Sequence, residues 1–547
     1  MNEHLIYRRD WPVGLLIILT IIAAILRLYG IRFGLPFTYH VDEPTYISAA
    51  LNLGAGNIGR QLNPPVLPNI LFLEFGVYYI FERMSGNISS VAEFEKLYRM
   101  DPSMFFLLGR LTTAFMGVLN VLIIYLVGRK ASNQLAGILA ALFLALSFLH
   151  VRDSHFAVPD VMMTLLVTTS ILFCLLAIKE SNRKYLYIAA FFSGMAIASK
   201  WSAWPVIIPL GYVFILKQYR TLRDFSISRV ASYAGVVLFC LLAGFFLPAF
   251  QLLLKPGSYL AYALTELRSG ASGGFGIWQV DTVPGYIFYL KTLWYGVGTF
   301  LLAFGVIGFL MYIWLAFTTR NETSFLLILF PLAYYLIMGA TRHYFARYTL
   351  PLVPFLVLFA GEVMIAVAAQ AELRWRKMGW VLLSVLVFAA SAQSLLNSLR
   401  FDSLMTRVDT RTSARNWIEK NIPKGSKIAL DWPIHTPFLS TDNYDITVVG
   451  EIGLANHSIK YYQEEGFDYL IASSYIYEIP LVIKEIDISR KAFYNSLENE
   501  TELIKEFKPS RDSGEGPFIF DEIYGPFISL WQREQPGPTL KIYYIGD

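Results

Sequence analysis

Through its first 400 residues the chain alternates long apolar runs with short polar connections, and after that the pattern stops. A helix crossing a bilayer needs about 17–25 predominantly apolar residues. Runs of this kind lie at 12–30, 104–128, 134–150, 159–178, 229–253, 287–315, 323–340, 348–370 and 379–397. The run from Tyr185 to Leu216 is too long for one crossing, and Lys200, Trp201 and Pro205 interrupt it. It reads as two short spans, since a mid-membrane break is tolerated when protein surrounds it. The pattern thus predicts about 11 transmembrane helices in residues 1–400.

Residues 401–547 mix polar and apolar positions, with no run long enough to span. Asp409-Thr410 opens a helical pattern that Pro423 and Gly425 close. Lys427–Leu430 and Asp468–Ala472 read as short buried strands, and Thr539–Ile545 as a final strand. A small α/β domain is expected here.

Composition agrees with the pattern. The chain is 55% hydrophobic and 16% charged, against about 25% charged in soluble domains, and its mean hydropathy is +0.48. The expected class is a polytopic α-helical membrane protein. A net charge of +4 gives no reason to expect a nucleic-acid partner. Cys174 and Cys240 sit in apolar runs and read as small buried hydrophobes. Arg8 and Arg9 precede the first run and no small-x-small cleavage site follows it, so that run reads as a retained span.

Charge in the connections sets an orientation. Arg8/Arg9, Arg129/Lys130, Lys179/Arg183/Lys184, Lys217/Arg220/Arg223/Arg229, Arg320 and Arg374/Arg376/Lys377 fall in alternate loops. The positive-inside rule places these loops in the cytoplasm. The stretch 31–103 then begins and ends outside, so its single apolar stretch Val66–Phe81 cannot cross. Its internal Glu74 suits a helix lying at the outer interface. The N-terminus is expected in the cytoplasm and residues 401–547 outside a plasma membrane.

This orientation gathers the unusual polar residues on one side: His40, Asp42 and Glu43; Asn63 before Pro64-Pro65; Arg152, His155 and Asp160; Lys200-Trp201; and Arg342, His343, Arg347 and Tyr348. Adjacent carboxylates beside a span are costly to desolvate, unless they simply face water. A carboxylate base with separate cations suits attack on a carbon bearing a phosphate leaving group. Arg152 and Arg347 could equally be span-end anchors. Lys200 lies within an apolar run, where an ionisable group is a functional candidate by default. His40, His155 and His343 could ligate a divalent metal with Asp42 or Glu43, although no fixed histidine spacing supports it. A metal stays open, and no other cofactor is indicated.

In order along the chain stand a first span, the pair Asp42-Glu43, Asn63-Pro64-Pro65 before an apolar helix, Gly109-Arg110 in a span, Arg152 with Asp160 closing its loop, Lys200-Trp201, and Arg347-Tyr348 followed by Leu350-Pro351 and Pro354. This order resembles the GT-C membrane glycosyltransferases of family 39, over roughly residues 10–370. That family includes protein O-mannosyltransferases and the bacterial aminoarabinose transferase that modifies lipid A. The helix Thr412–Asn421 followed by Ile422-Pro423-Lys424-Gly425 is similar to the start of the C-terminal domain in bacterial members.

The resemblance implies inverting transfer of a sugar from a polyprenyl-phosphate donor to a hydroxyl of a lipid, glycan or protein acceptor, on the outer face. It implies Asp42 as the group that binds or activates the acceptor, Glu43 as its neighbour and Asp160 as a second catalytic carboxylate. His40, Asn63, Arg152, His155, Lys200, Trp201, Arg342, His343, Arg347 and Tyr348 are the expected substrate-binding residues. Asn63 departs from the His or Lys that many relatives carry before Pro-Pro. The loop 254–286 is too short for the MIR-type insertion of eukaryotic protein mannosyltransferases. Its glycine-rich piece 269–276 suits a mobile gating loop better than a nucleotide loop. A transporter or flippase of a lipid-linked sugar would also need charges near the membrane, but no internal repeat is evident. An oligosaccharide ligase is the other alternative.

Overall fold

The computed structural model describes residues 11–58, 65–180, 182–220, 226–272, 274–275, 278–279, 283–342, 345–375, 378–450, 452–510 and 520–546. Asn63 and His343 lie outside the described residues, as do Gly273 and Gly276 of the glycine-rich piece.

Among the described residues, seven helices are long and apolar enough to cross a membrane, and Val13–Leu28 and Gln134–Leu146 are shorter apolar helices. The run 185–216 divides as its sequence predicts. Helix Lys184–Ser199 ends at Lys200, a 3-10 turn spans Trp201–Val206, and helix Ile207–Tyr219 follows. The run 287–315 also divides, which the apolar pattern alone did not reveal. Helices Gly285–Val297 and Thr299–Thr318 meet at Gly298. Its φ of 90° is open to glycine and strained for a side chain. The freed Thr299 amide donates to the Gln393 side-chain carbonyl at 2.9 Å.

Small residues let the helices touch backbone to backbone, as they do where no hydrophobic force separates helix from lipid. A Cβ on Gly128 would meet Gly137 Cα at 2.8 Å. One on Gly194 would meet the Phe245 backbone nitrogen at 2.7 Å. The first contact closes the hairpin of Ser103–Ala131 and Gln134–Leu146, and the second joins Lys184–Ser199 to Ile227–Phe246.

Between the first span and Ser103–Ala131 stand helices Glu43–Gly54, Val66–Met84 and Val91–Met100. Val66–Met84 buries Leu67, Leu71 and Phe75 and leaves Leu73, Val77, Ile80 and Phe81 exposed. Glu74 accepts a hydrogen bond from Thr112, so this carboxylate has a neutral partner.

The C-terminal region carries a five-stranded sheet in the order 445–448, 427–430, 469–473, 540–544, 502–507. The first three strands are parallel, and 540–544 runs antiparallel to both its neighbours. The central strands are apolar and buried: Ile428, Leu430, Ile471 and Ile542 fill the space against helix Thr410–Asn421. The two edge strands, Asp445–Val448 and Glu502–Phe507, carry charge and stay largely exposed, which blunts an open edge.

This region is fastened to the membrane helices. Ile523, Tyr524, Phe527 and Leu530 belong to the same apolar core as the spans. Phe37 stacks on Phe438 at 6.0 Å, and Phe148 on Phe527 at 5.7 Å. The Arg411 guanidinium covers the Tyr39 ring at 3.9 Å and donates to the Tyr39 carbonyl.

Candidate functional site

The first apolar helix hands the chain through a turn to Asp42, the N-cap of helix Glu43–Gly54. Pro44 sits in the first turn, where the missing N–H is harmless. The Asp42 side chain makes no capping bond and turns instead to Arg347, with Oδ2 to Nη1 at 2.6 Å. Arg347 lies in the 3-10 turn Ala346–Leu352 that starts the span Val353–Arg374. Tyr46, one turn after Asp42, lies within electrostatic reach of Asp42, Asp160 and Arg347.

A second ion pair stands beside the first. Asp160 opens helix Asp160–Lys179, where a carboxylate complements the helix dipole. Its Oδ1 meets Lys200 Nζ at 2.5 Å. Lys200 lies over the Tyr348 ring at 4.4 Å. Both cations feel both carboxylates: Arg347 is acted on by Asp42 and Asp160, and Lys200 by Asp160, Asp42 and Arg347. The result is an alternating cluster of two carboxylates and two cations. Asp42 and Lys200 are its accessible members, with side-chain exposures of 29% and 18%, against 10% for Arg347 and 2% for Asp160. Trp201 Nε1 is buried with no hydrogen-bond partner among the described residues. A buried donor of that kind calls for an acceptor from elsewhere.

Several residues expected in the site have other duties. Glu43 is fully buried and pairs bidentately with Arg110, at 2.8 and 2.7 Å. The same Glu43 oxygen accepts from the Ala157 amide, and Arg110 also donates to the carbonyls of Ile31 and Phe33. With both oxygens committed and no exposure, Glu43 is a clamp between three loops and not a base in contact with substrate. Arg152 is fully buried and pairs with Asp153 and Asp521, donating also to the carbonyls of Asp521 and Gly525. It anchors the C-terminal region, with both terminal nitrogens committed to protein partners. His155 is buried with both ring nitrogens 2.9 Å from backbone carbonyls, those of Val151 and Tyr29.

His40 stacks on Phe156 at 4.4 Å and lies 5.6 Å from Tyr524. Its Nδ1 accepts from the Asp42 amide at 3.2 Å. Burial, with help from Arg347, Arg152 and Arg110, holds its pKa well below the usual histidine range. His40 is therefore a neutral acceptor that orients the Asp42 backbone. Arg342 is exposed. Among the described residues, no group of three His, Cys, Asp or Glu side chains could hold a metal ion.

The structure adds residues that sequence reading passed over. Arg110 was visible as a charge inside a span, which is itself a signal. Asp521 and Tyr524 carried no signal, because they come from the far end of the chain. Asp521 accepts from the Ala346 amide at 3.0 Å, directly before Arg347. Tyr524 lies under the Arg347 guanidinium at 4.3 Å, with Phe345 at 4.9 Å.

Residues 106–246 match the family described as dolichyl-phosphate-mannose-protein mannosyltransferase. An uncharacterized protein of Aquifex aeolicus is 23% identical over 284 residues, which is 52% of this chain. The match spans 53% of that relative's length. The crystal structure of ArnT from Cupriavidus metallidurans bound to undecaprenyl phosphate superposes with a TM-score of 0.53 and 11% identity, covering 98% of each chain. The oligosaccharyltransferase of Archaeoglobus fulgidus superposes with a TM-score of 0.53 and 13% identity, covering 86% of this chain and 70% of its own. The chain therefore has a GT-C-type membrane fold, and its residues 106–246 are similar to that mannosyltransferase family.

Proposed function

We propose that this GT-C-fold protein transfers a sugar from a polyprenyl-phosphate donor to an acceptor hydroxyl on the extracytoplasmic face of the plasma membrane, with inversion. The observation that carries this reading is the paired cluster Asp42–Arg347 and Asp160–Lys200. Such a site holds a base and two phosphate-binding cations together.

In the reaction, Asp42 takes the proton of the acceptor hydroxyl. The hydroxyl oxygen attacks the anomeric carbon from the face opposite the phosphate. The bond from that carbon to the phosphate oxygen breaks, and the electron pair leaves on the oxygen. Arg347 and Lys200 stabilise the charge growing there. Asp160 keeps Lys200 aimed at the cluster, and Trp201 Nε1 supplies a neutral donor to the same ligand. Tyr348 and Tyr524 hold the cations from below through their ring faces. The fold's relation to a structure that holds undecaprenyl phosphate supports a lipid-linked donor.

Mass spectrometry of lipid carriers in a deletion strain tests the reading. Accumulation of a polyprenyl-phosphate sugar, relieved by the wild-type chain and not by Asp42→Asn, is the expected result. Unchanged carriers and unchanged surface glycans would overturn it.

A further inference from the structure

Apart from the cluster, the C-terminal region holds a cavity of about 380 Å³ beside the end of its exposed edge strand Asp445–Val448. The volume lies in the range of small-molecule sites. One wall is the exposed edge strand, from Thr447 to Gly450. The other is built from Asn456, His457 and Tyr461.

The second wall is a rigid plane. His457 stacks on Tyr461 with ring centroids 4.1 Å apart and 17° between the planes. Tyr462 meets both rings edge-on, at 5.9 and 5.6 Å, and is itself held edge-on by Phe467. The Tyr462 hydroxyl is spent on the Leu454 carbonyl at 2.8 Å, so this ring is fully committed to support. Ser458 caps the turn by accepting from the Tyr461 amide. The stacked pair nevertheless remains open: Tyr461 is 38% exposed, and Val448 across from it 46%. The Asn456 amide nitrogen lies 3.4 Å from where a Cβ on Gly450 would stand, so the glycine leaves room for a side-chain amide at the rim.

Among the described residues the lining contains no Lys, Arg, Asp or Glu. Its occupant should therefore be neutral, with one flat apolar face for the aromatic plane and hydroxyls for Asn456, Thr447 and the exposed backbone. We infer that this cavity binds a neutral hexopyranose unit of a glycan. A pre-built aromatic plane loses little freedom on binding, which suits a weakly held sugar ring. The inference stands independently of the transfer reading, since none of these residues belongs to the Asp42–Lys200 cluster.

Saturation-transfer NMR on the full chain in detergent tests it, with the methyl glycosides of mannose, galactose, glucose and N-acetylglucosamine, and glucuronate as the charged control. At least one neutral glycoside should bind with a millimolar Kd and exclude glucuronate. Tyr461→Ala and Asn456→Ala should each weaken binding by about tenfold, roughly 1.4 kcal/mol. Both residues are exposed, so thermal unfolding should not shift. Absence of binding by all four glycosides would overturn the inference. So would equal binding of glucuronate, or binding that survives both substitutions. Binding lost in Arg347→Ala and kept in Tyr461→Ala would place the sugar at the membrane cluster and also overturn it.

Discussion

Asp42 Oδ2 lies 2.6 Å from Arg347 Nη1, so the proposed base and a proposed phosphate cation neutralise one another when no donor is present. A donor phosphate would compete with Asp42 for Arg347 and release the carboxylate toward the acceptor. Binding and activation are then one event. Asp42→Asn keeps the shape and removes the proton acceptor. Turnover should fall by about 10²–10⁴-fold, with the protein still folded and inserted, since Asp42 is partly exposed and makes no capping bond. A purified Asp42→Asn protein that turns over at a near-normal rate would refute the base assignment.

Arg347 and Lys200 should matter for the donor more than for the fold. Each stands on an aromatic ring and faces a carboxylate. A hydrogen bond to a charged group is worth about 1.5–3 kcal/mol, so Arg347→Ala or Lys200→Ala should weaken polyprenyl-phosphate binding by about 10- to 150-fold. Titration of the purified variants with the lipid phosphate measures this. Affinity unchanged in both would refute the phosphate clamp.

The sequence made the membrane helices legible because apolar length is a one-dimensional property. The Lys200 break was legible for the same reason, since a charge inside an apolar run has few explanations. The strands Lys427–Leu430 and Tyr469–Ser473 were legible as buried runs, whereas the edge strands Asp445–Val448 and Glu502–Phe507 were hidden by their charges. The site was only half legible. Asp42, Asp160, Lys200 and Arg347 could be picked out by residue type and order. Nothing local separated them from Glu43, Arg152 and His155, whose partners lie far along the chain. Glu43 finds Arg110 across 67 residues, and Arg152 finds Asp521 across 369. Gly298 shows the same limit, since an apolar run does not record a break in backbone direction.

Glu43 and Arg110 offer a direct separation of support from chemistry. Removing one partner of a buried ion pair costs about 3–5 kcal/mol, because the other charge is left buried alone. Arg110→Met should therefore lower thermal stability strongly. Glu43→Gln with Arg110→Met should recover much of the loss, since no uncompensated charge remains. Circular dichroism melts of the detergent-solubilised variants decide the matter. A stable Arg110→Met protein would show that the pair does not hold the loops.

Asp431 sits fully buried in the C-terminal region, accepting from the amides of Leu454 and Ser473 and from the Tyr494 hydroxyl. Burial pushes its pKa up to about 6, against the three hydrogen bonds and Arg490, which favour the carboxylate. A folded pKa above the unfolded one means that the folded state binds more protons between the two values. Its contribution is complete below about pH 4 and lost as pH rises through about 6. Asp431→Asn should be less stable at every pH and should lack this fall between about 4 and 6. A wild-type stability curve that rises through that window in step with the variant would contradict the assignment.

Arg152 should be the strongest single fastening of the C-terminal region. Its guanidinium holds Asp521 and the Gly525 carbonyl while lying over the Phe527 ring at 5.2 Å. Asp521 in turn holds the Ala346 amide beside Arg347. Arg152→Met leaves Asp521 buried without its partner, and the segment 520–530 should open. Hydrogen exchange in that segment should rise by about 10²-fold or more, from a loss of about 3 kcal/mol or greater. Exchange in the strands Lys427–Leu430 and Tyr469–Ser473 should stay slow. Donor affinity should fall as well, because Arg347 loses both Tyr524 and the pinned backbone. Fast exchange confined to 520–530 with donor affinity intact would separate the fastening from the site and refute the coupling.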